Sequence, residues 1–251
     1  MADLKMLKNT QIIILGVCIV IATIVSSIIF SKGFLKVIQF KQEMITVTGS
    51  AQKEIISDFT VWNGNFSRCE VDLAMAYKNL KEDLEKIKSY LISKGVSKNE
   101  IIASQISTET KYKHKKDDDG FETKEIESYC LEQYIQVQSN DVHTIAQISR
   151  ESTELIEQGI IFESKAPEYF YTKLEELKIE MLARATENAK QRAGNMAKST
   201  GNKIGFMRSA RMGVFQITPV NSTEVSDWGE NDTSSLYKKV TAVVTVSFAI
   251  E

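Results

Sequence analysis

Nineteen consecutive residues without a charge, IIILGVCIVIATIVSSIIF from Ile12 to Phe30, place the first constraint on this chain. At about 1.5 Å of rise per residue, a helix of that length reaches about 28 Å, close to the thickness of bilayer hydrocarbon. The run is β-branched and apolar on every side, whereas the core helix of a globular domain keeps a polar face. It reads as a transmembrane helix at 12–30, with a short tail at 1–11 and a linker at 31–43. Val25-Ser26-Ser27 has the small-residue spacing of a signal-peptidase site. The apolar run nevertheless continues through Ile28, Ile29 and Phe30, which favours a retained anchor. Charge leaves the direction of insertion open, because Lys5 and Lys8 precede the run while Lys32, Lys36 and Lys41 follow it.

The rest of the chain has globular composition. Its 31 basic and 33 acidic residues are interspersed and leave a net charge of −2. No domain-wide positive field is available to neutralise phosphates, so nucleic acid is not an expected partner. Cys18 lies in the apolar run, and Cys69 and Cys130 lie beyond it, with no CxxC pair. That spacing argues against a zinc ribbon, a thioredoxin-like motif or a disulfide scaffold. A Cys69–Cys130 bridge would need an oxidising compartment and Cα atoms within about 7 Å; the sequence leans against it and leaves it open.

Alternation at Ile45–Gln52 and Asp58–Glu70 predicts two strands, the second with Thr60, Trp62, Gly64 and Phe66 on one face. Leu73, Tyr77, Leu80, Leu84, Ile87 and Leu91 predict an amphipathic helix stopped by Gly95. IIASQISTETKYKHKK and FETKEIESYCLEQYIQVQ read as a long hairpin turning at KDDDG. A second helix is expected over Asp141–Gln158, capped by Asn140 or Asp141, burying Val142, Ile145, Ile148 and Leu155, and ended by Gly159. GIIFES follows as a short strand. Pro167 is expected to open a third helix that runs to Thr200, with Ala185, Ala189, Ala193 and Ala197 forming a narrow face for close packing. Strands at Lys203–Ile217 and Lys238–Ala249 close the chain around a long loop, Thr218–Ser235. The element order ββαββαβαββ implies an α+β fold, a two-layer sandwich of mainly antiparallel sheet with helices on one face.

No catalytic constellation emerges. The two histidines, His114 on the hairpin and His143 on a helix, stand apart from any nucleophile motif, and HExxH, GxSxG and GxxxxGK do not occur in suitable context. The expectation is a protein that is not an enzyme and has no cofactor or metal site. Lys115, Lys116 and Asp117–Asp119 read as a solvated hairpin end, since calcium loops alternate their ligands. The candidate contact residues are Thr218, Pro219 and Trp228 in the long loop, with Tyr169 and Phe170 at the expected start of the third helix.

ITVTGSAQKEIISDFTVW after an apolar segment, KGVSKNEIIASQIS, SYCLEQYIQVQSNDVHTIAQI, GIIFES and ARATENAKQRAGNMAKSTGNKIG occur here in one order. Together they resemble the SIMPL domain family, over about residues 44–250. The resemblance implies a SIMPL-like domain at 44–251, exported and non-enzymatic, linked to envelope or oxidative stress, and in some members assembled into large ring-like homo-oligomers. It makes 1–11 a cytoplasmic tail and the chain a single-pass protein of a bacterial inner membrane, its domain in the periplasm or outside the cell. The family supplies no catalytic residue to carry over. Its implied partners are the membrane and further copies of the chain; capture of a peptide, lipid or envelope protein is the alternative. Many bacterial members carry a cleavable signal peptide, whereas this run looks retained.

Overall fold

The computed structural model describes residues 2–42, 44–113 and 125–251, and the expected hairpin tip with His114 and KDDDG lies outside them. The first helix, α1 (Ala2–Gln42), is continuous. Its stretch Ile14–Leu35 is long and apolar enough to cross a membrane, and no part of it is buried in the protein. The apolar span thus reaches five residues past Phe30, and the expected linker is helical to Gln42.

The fold is α+β, with mostly antiparallel strands in two sheets of five and six strands. The strands are β1 (Met44–Ile56), β2 (Phe59–Glu70), β3 (Ile101–Ala103), β4 (Ser107–Tyr112), β5 (Ile126–Ser139), β6 (Ile161–Ser164), β7 (Glu168–Phe170), β8 (Ile204–Met212), β9 (Gln216–Pro219), β10 (Glu230–Asn231) and β11 (Tyr237–Ile250). The other helices are α2 (Leu73–Ser93), α3 (Val142–Glu151) and α4 (Leu174–Ser199). The chain forms two compact units. One draws on Met1–Ser50, Leu182–Gly213 and Val243–Glu251, the other on Ala51–Met181 and Val214–Ala242.

The second unit is built on β2 paired with β5, in unbroken antiparallel register from Thr60↔Ser139 to Glu70↔Tyr129. Period-two alternation sends Thr60, Trp62, Gly64 and Phe66 inward, as the sequence predicts. Trp62 and Phe66 pack with Leu131, Ile135, Val137 and Phe162. Gly64 is required here, because a Cβ would strike the Phe162 ring. On α2 the inward stripe is Ala76, Leu80, Asp83, Ile87 and Leu91, while Leu73 and Tyr77 are exposed. The helix is turned so that Asp83 faces Arg68 of β2, whose Nε and Nη2 donate to both carboxylate oxygens and whose Nη2 also donates to the Gly159 carbonyl at 2.7 Å. A carboxylate only 1% exposed is tolerated because this planar fork satisfies it. Asp141 caps α3 by accepting from the Thr144 backbone and hydroxyl, which holds its carboxyl below the ordinary value. Val142, Ile145, Ile148 and Leu155 are buried as expected. The last turn, Ser152–Gln158, tightens into a 3₁₀ helix that ends on Gly159 at φ +78°.

Three expectations are corrected here. The third helix begins at Leu174, not Pro167, because Glu168–Phe170 pairs with β2 as strand β7. Proline suits a strand start as well as a helix start. The Asp58 carboxylate accepts from the Thr172 backbone and hydroxyl, holding the turn between them. The expected strand after Ile101 is broken into β3 and β4, since Gln133 and the Tyr134 backbone N–H donate to Ser104 and bend the chain there. Cys69 and Cys130 are bridged, with Cα atoms 4.0 Å apart. They are directly opposite in the β2–β5 register, a proximity that their separation of 61 residues conceals.

The first unit rests on small residues. Ala185, Ala189, Ala193 and Ala197 of α4 are all buried. At Gly49 of β1 an added Cβ would fall on the Ala185 carbonyl and the Ala189 nitrogen. Asn188 accepts from the Ser50 N–H at 3.2 Å, and Arg192 donates to the Thr48 carbonyl at 3.0 Å, fixing helix to strand on either side of the glycine. Thr46 with Ser247 and Thr48 with Thr245 bond across to β11, and β8 lies antiparallel along β11 from Val244↔Met212 to Ile250↔Ile204.

Candidate contact site

The candidate contact residues belong to the second unit, and its order explains where they stand. The expected strand Lys203–Ile217 is split into β8 and β9, and the expected loop Thr218–Ser235 takes in the end of β9 and all of β10. Residues 216–219 of β9 pair with Lys238–Thr241 of β11, and β10 lies parallel to β9 through Glu230↔Gln216 and Asn231↔Ile217. A buried amide holds the intervening segment: Gln216 Nε2 donates to the Ser226 carbonyl at 2.6 Å, and its Oε1 accepts from the Ser226 N–H. Gly229 adopts φ +88°, a left-handed conformation that disfavours other side chains, with the Phe215 carbonyl 2.9 Å from where a Cβ would sit.

Lys238 ties this loop to β7. It is 3% exposed and donates from Nζ to the Tyr169 carbonyl, while the Tyr169 N–H donates to Thr233 at 2.7 Å. Burial pushes the Lys238 ammonium below its ordinary pKa, with the Asp232 charge acting the other way. Burial alone would raise the Asp232 carboxyl, but hydrogen bonds from Ser234 and Ser235 and the Lys238 charge bring it below the ordinary range. Lys239 adds a bond from Nζ to the Ser222 carbonyl at 3.1 Å.

The five candidates therefore stand differently. Thr218 is 3% exposed and interior; Pro219, Tyr169 and Phe170 are half-buried; Trp228 is 94% exposed, with Val225 80% exposed on the same loop. The structure joins Tyr169 to the loop through Lys238 and Thr233, and presents Trp228 to solvent. Lys238 and Asp232 are the residues that sequence reasoning missed. A signal for Lys238 was present, since it shares its strand parity with the buried Val240, Ala242, Val244 and Val246. His143 is exposed beside the α3 cap. Among the described residues, no group of three or more His, Cys, Asp or Glu side chains is arranged to hold a metal.

The fold and the order of its segments agree with the sequence resemblance. The family model described as SIMPL, protein of unknown function (DUF541), matches residues 45–248, and the chain belongs to that family. No curated protein matches the sequence.

Proposed function

We propose that this protein is a non-enzymatic, membrane-anchored, extracytoplasmic module that builds a large homo-oligomeric assembly in the cell envelope, of the ring-like kind the resemblance implies for some members, in the setting of envelope or oxidative stress. The observation that carries the reading is the pairing of a fixed loop with an exposed tip. Lys238, Gln216 and Asp232 hold the segment around Thr218–Ser235 in place, while Trp228 and Val225 are left in water. A pre-ordered aromatic loses little conformational freedom when a partner covers it. The Cys69–Cys130 bridge supports a compartment that permits disulfides. A retained anchor would hold every subunit in one plane and one orientation, which raises effective concentration and favours lateral assembly.

Light scattering of the detergent-solubilised full-length protein tests the proposal. A multi-subunit mass is expected for the wild type, and a smaller mass for Trp228→Ser combined with Val225→Ser. A strictly monomeric wild type at all concentrations would sink it. Unchanged mass in the double variant would remove the loop from the contact.

A further inference from the structure

The segment Lys203–Gly213, KIGFMRSARMG, carries three basic residues and no acidic one, in a chain of net charge −2. It forms β8, whose residues 206–212 are all exposed, Phe206 at 80%, Met207 at 56% and Met212 at 58%. Such a strand is either a template for another strand or a surface that meets something apolar and anionic.

Its register argues against strand addition. Pairing with β11 shifts twice, between Ser247↔Ser209 and Phe248↔Met207 and again before Ile250↔Ile204. The first irregularity falls at Arg208, between Ser209 and Met207, and the second takes in Gly205 and Phe206. Bulges interrupt a ladder, increase its twist and re-aim side chains outward, and arginine along an edge discourages self-pairing.

The same register locates the segment relative to the anchor. The Thr46–Ser247 and Thr48–Thr245 bonds set β1 antiparallel to β11, so that Met44 falls opposite Ala249. Ala249 lies between the residues paired with Met207 and Ile204. Phe206 thus sits at the end of the sheet where the chain arrives from α1, about two strand spacings, or about 10 Å, from Met44. Leu35 ends the apolar span, and α1 runs only to Gln42, about 10 Å of helix, with Val37, Ile38 and Phe40 interleaved with Lys36 and Lys41. That end of the sheet is held within reach of a headgroup layer.

We infer that the Phe206–Met207 end of β8 is a second membrane contact: the two apolar side chains enter the interfacial layer, while Lys203 and Arg211 meet anionic headgroups. Aromatic and basic residues in combination are the side chains that settle in that layer. The contact steadies the first unit against the bilayer beside the anchor. It rests on the reading of α1 as a retained membrane span.

The test uses the full-length chain with Trp228→Phe, reconstituted in phosphatidylcholine vesicles with brominated acyl chains, with and without about a quarter phosphatidylglycerol. Phe30→Trp reports the span, and Phe206→Trp, with Met207→Trp as a second reporter, reports the contact. After the Trp62 emission of the Trp228→Phe parent is subtracted, bromine quenching is expected to remove at least about a third of the emission at position 30 in both vesicles, and at 206 or 207 chiefly in the anionic ones. Adding Lys203→Glu and Arg211→Glu should return the position-206 signal to its level without phosphatidylglycerol. Quenching at 30 with none at 206 or 207 overturns the inference and leaves the anchor standing. Equal quenching at 206 in both vesicles overturns the role of the basic residues. Absence of quenching at 30 overturns the anchor, and the inference with it.

Discussion

The two units solve one packing problem in opposite ways. The second places large side chains between sheet and helices: Trp62, Phe66, Leu80, Ile87 and Ile135 are all essentially solvent-free. The first brings backbone close to backbone, with Gly49 of β1 against the Ala185–Ala189 turn of α4. A core of large residues is lost by removing volume, and a contact between small residues by adding it. A single chain therefore contains regions that tolerate opposite substitutions.

The sharpest way to break the contrast is Phe66→Ala. Deleting that ring should cost about 3–5 kcal/mol, read by urea or thermal unfolding, because its neighbours relax only partly into the cavity. A cost under about 1 kcal/mol would mean that the second core is looser than its burial suggests. Replacing Cys69 and Cys130 together by Ala should cost about 2–4 kcal/mol, since the bridge restricts the unfolded chain across their separation of 61 residues. Gly49→Val should cost about 1–3 kcal/mol by overpacking. Hydrogen exchange should rise in residues 185–197 of α4 while the α2 amides stay protected, and uniform loss of protection would erase the distinction between the units.

Lys238→Met is expected to cost about 1–2 kcal/mol, because it leaves the Tyr169 carbonyl without its donor. The pH dependence has a definite sign. Burial lowers the Lys238 pKa, so the unfolded chain holds that proton more tightly than the folded one. This group's contribution to stability therefore grows as pH rises through the folded pKa toward the ordinary lysine value. The wild type should gain on Lys238→Met over that alkaline interval, and a constant difference would show that the ammonium is not desolvated. The smallest effect is expected for Trp228→Ser, under about 0.5 kcal/mol in monomer stability, because that side chain is already in water.

Wherever one element's own periodicity decided burial, the sequence was legible. The Thr60–Phe66 face, the Val142–Leu155 stripe and the Ala185–Ala197 row all stand as their spacing requires. Errors arose where another element intervened. Asp83 turns inward because Arg68 of β2 reaches it, and β7 claims Glu168–Phe170 from the expected helix because β2 has an edge to offer. In the candidate contact site, the sequence offers Trp228 as the aromatic of a polar loop, and the structure leaves it exposed, while Lys238 was overlooked although its strand parity pointed inward.

The sequence by itself determined the apolar span and the α+β class, because length, hydropathy and alternation are local properties of consecutive residues, and it pointed to the family through the resemblance of its ordered segments, which the family model matches over residues 45–248. Only the tertiary structure decided that Cys69 faces Cys130, that Gly49 lies on Ala185 and Ala189, and that a buried lysine holds the loop behind an exposed Trp228. Each of these depends on strand register or on a close approach between distant segments, and no local pattern encodes which residues will meet.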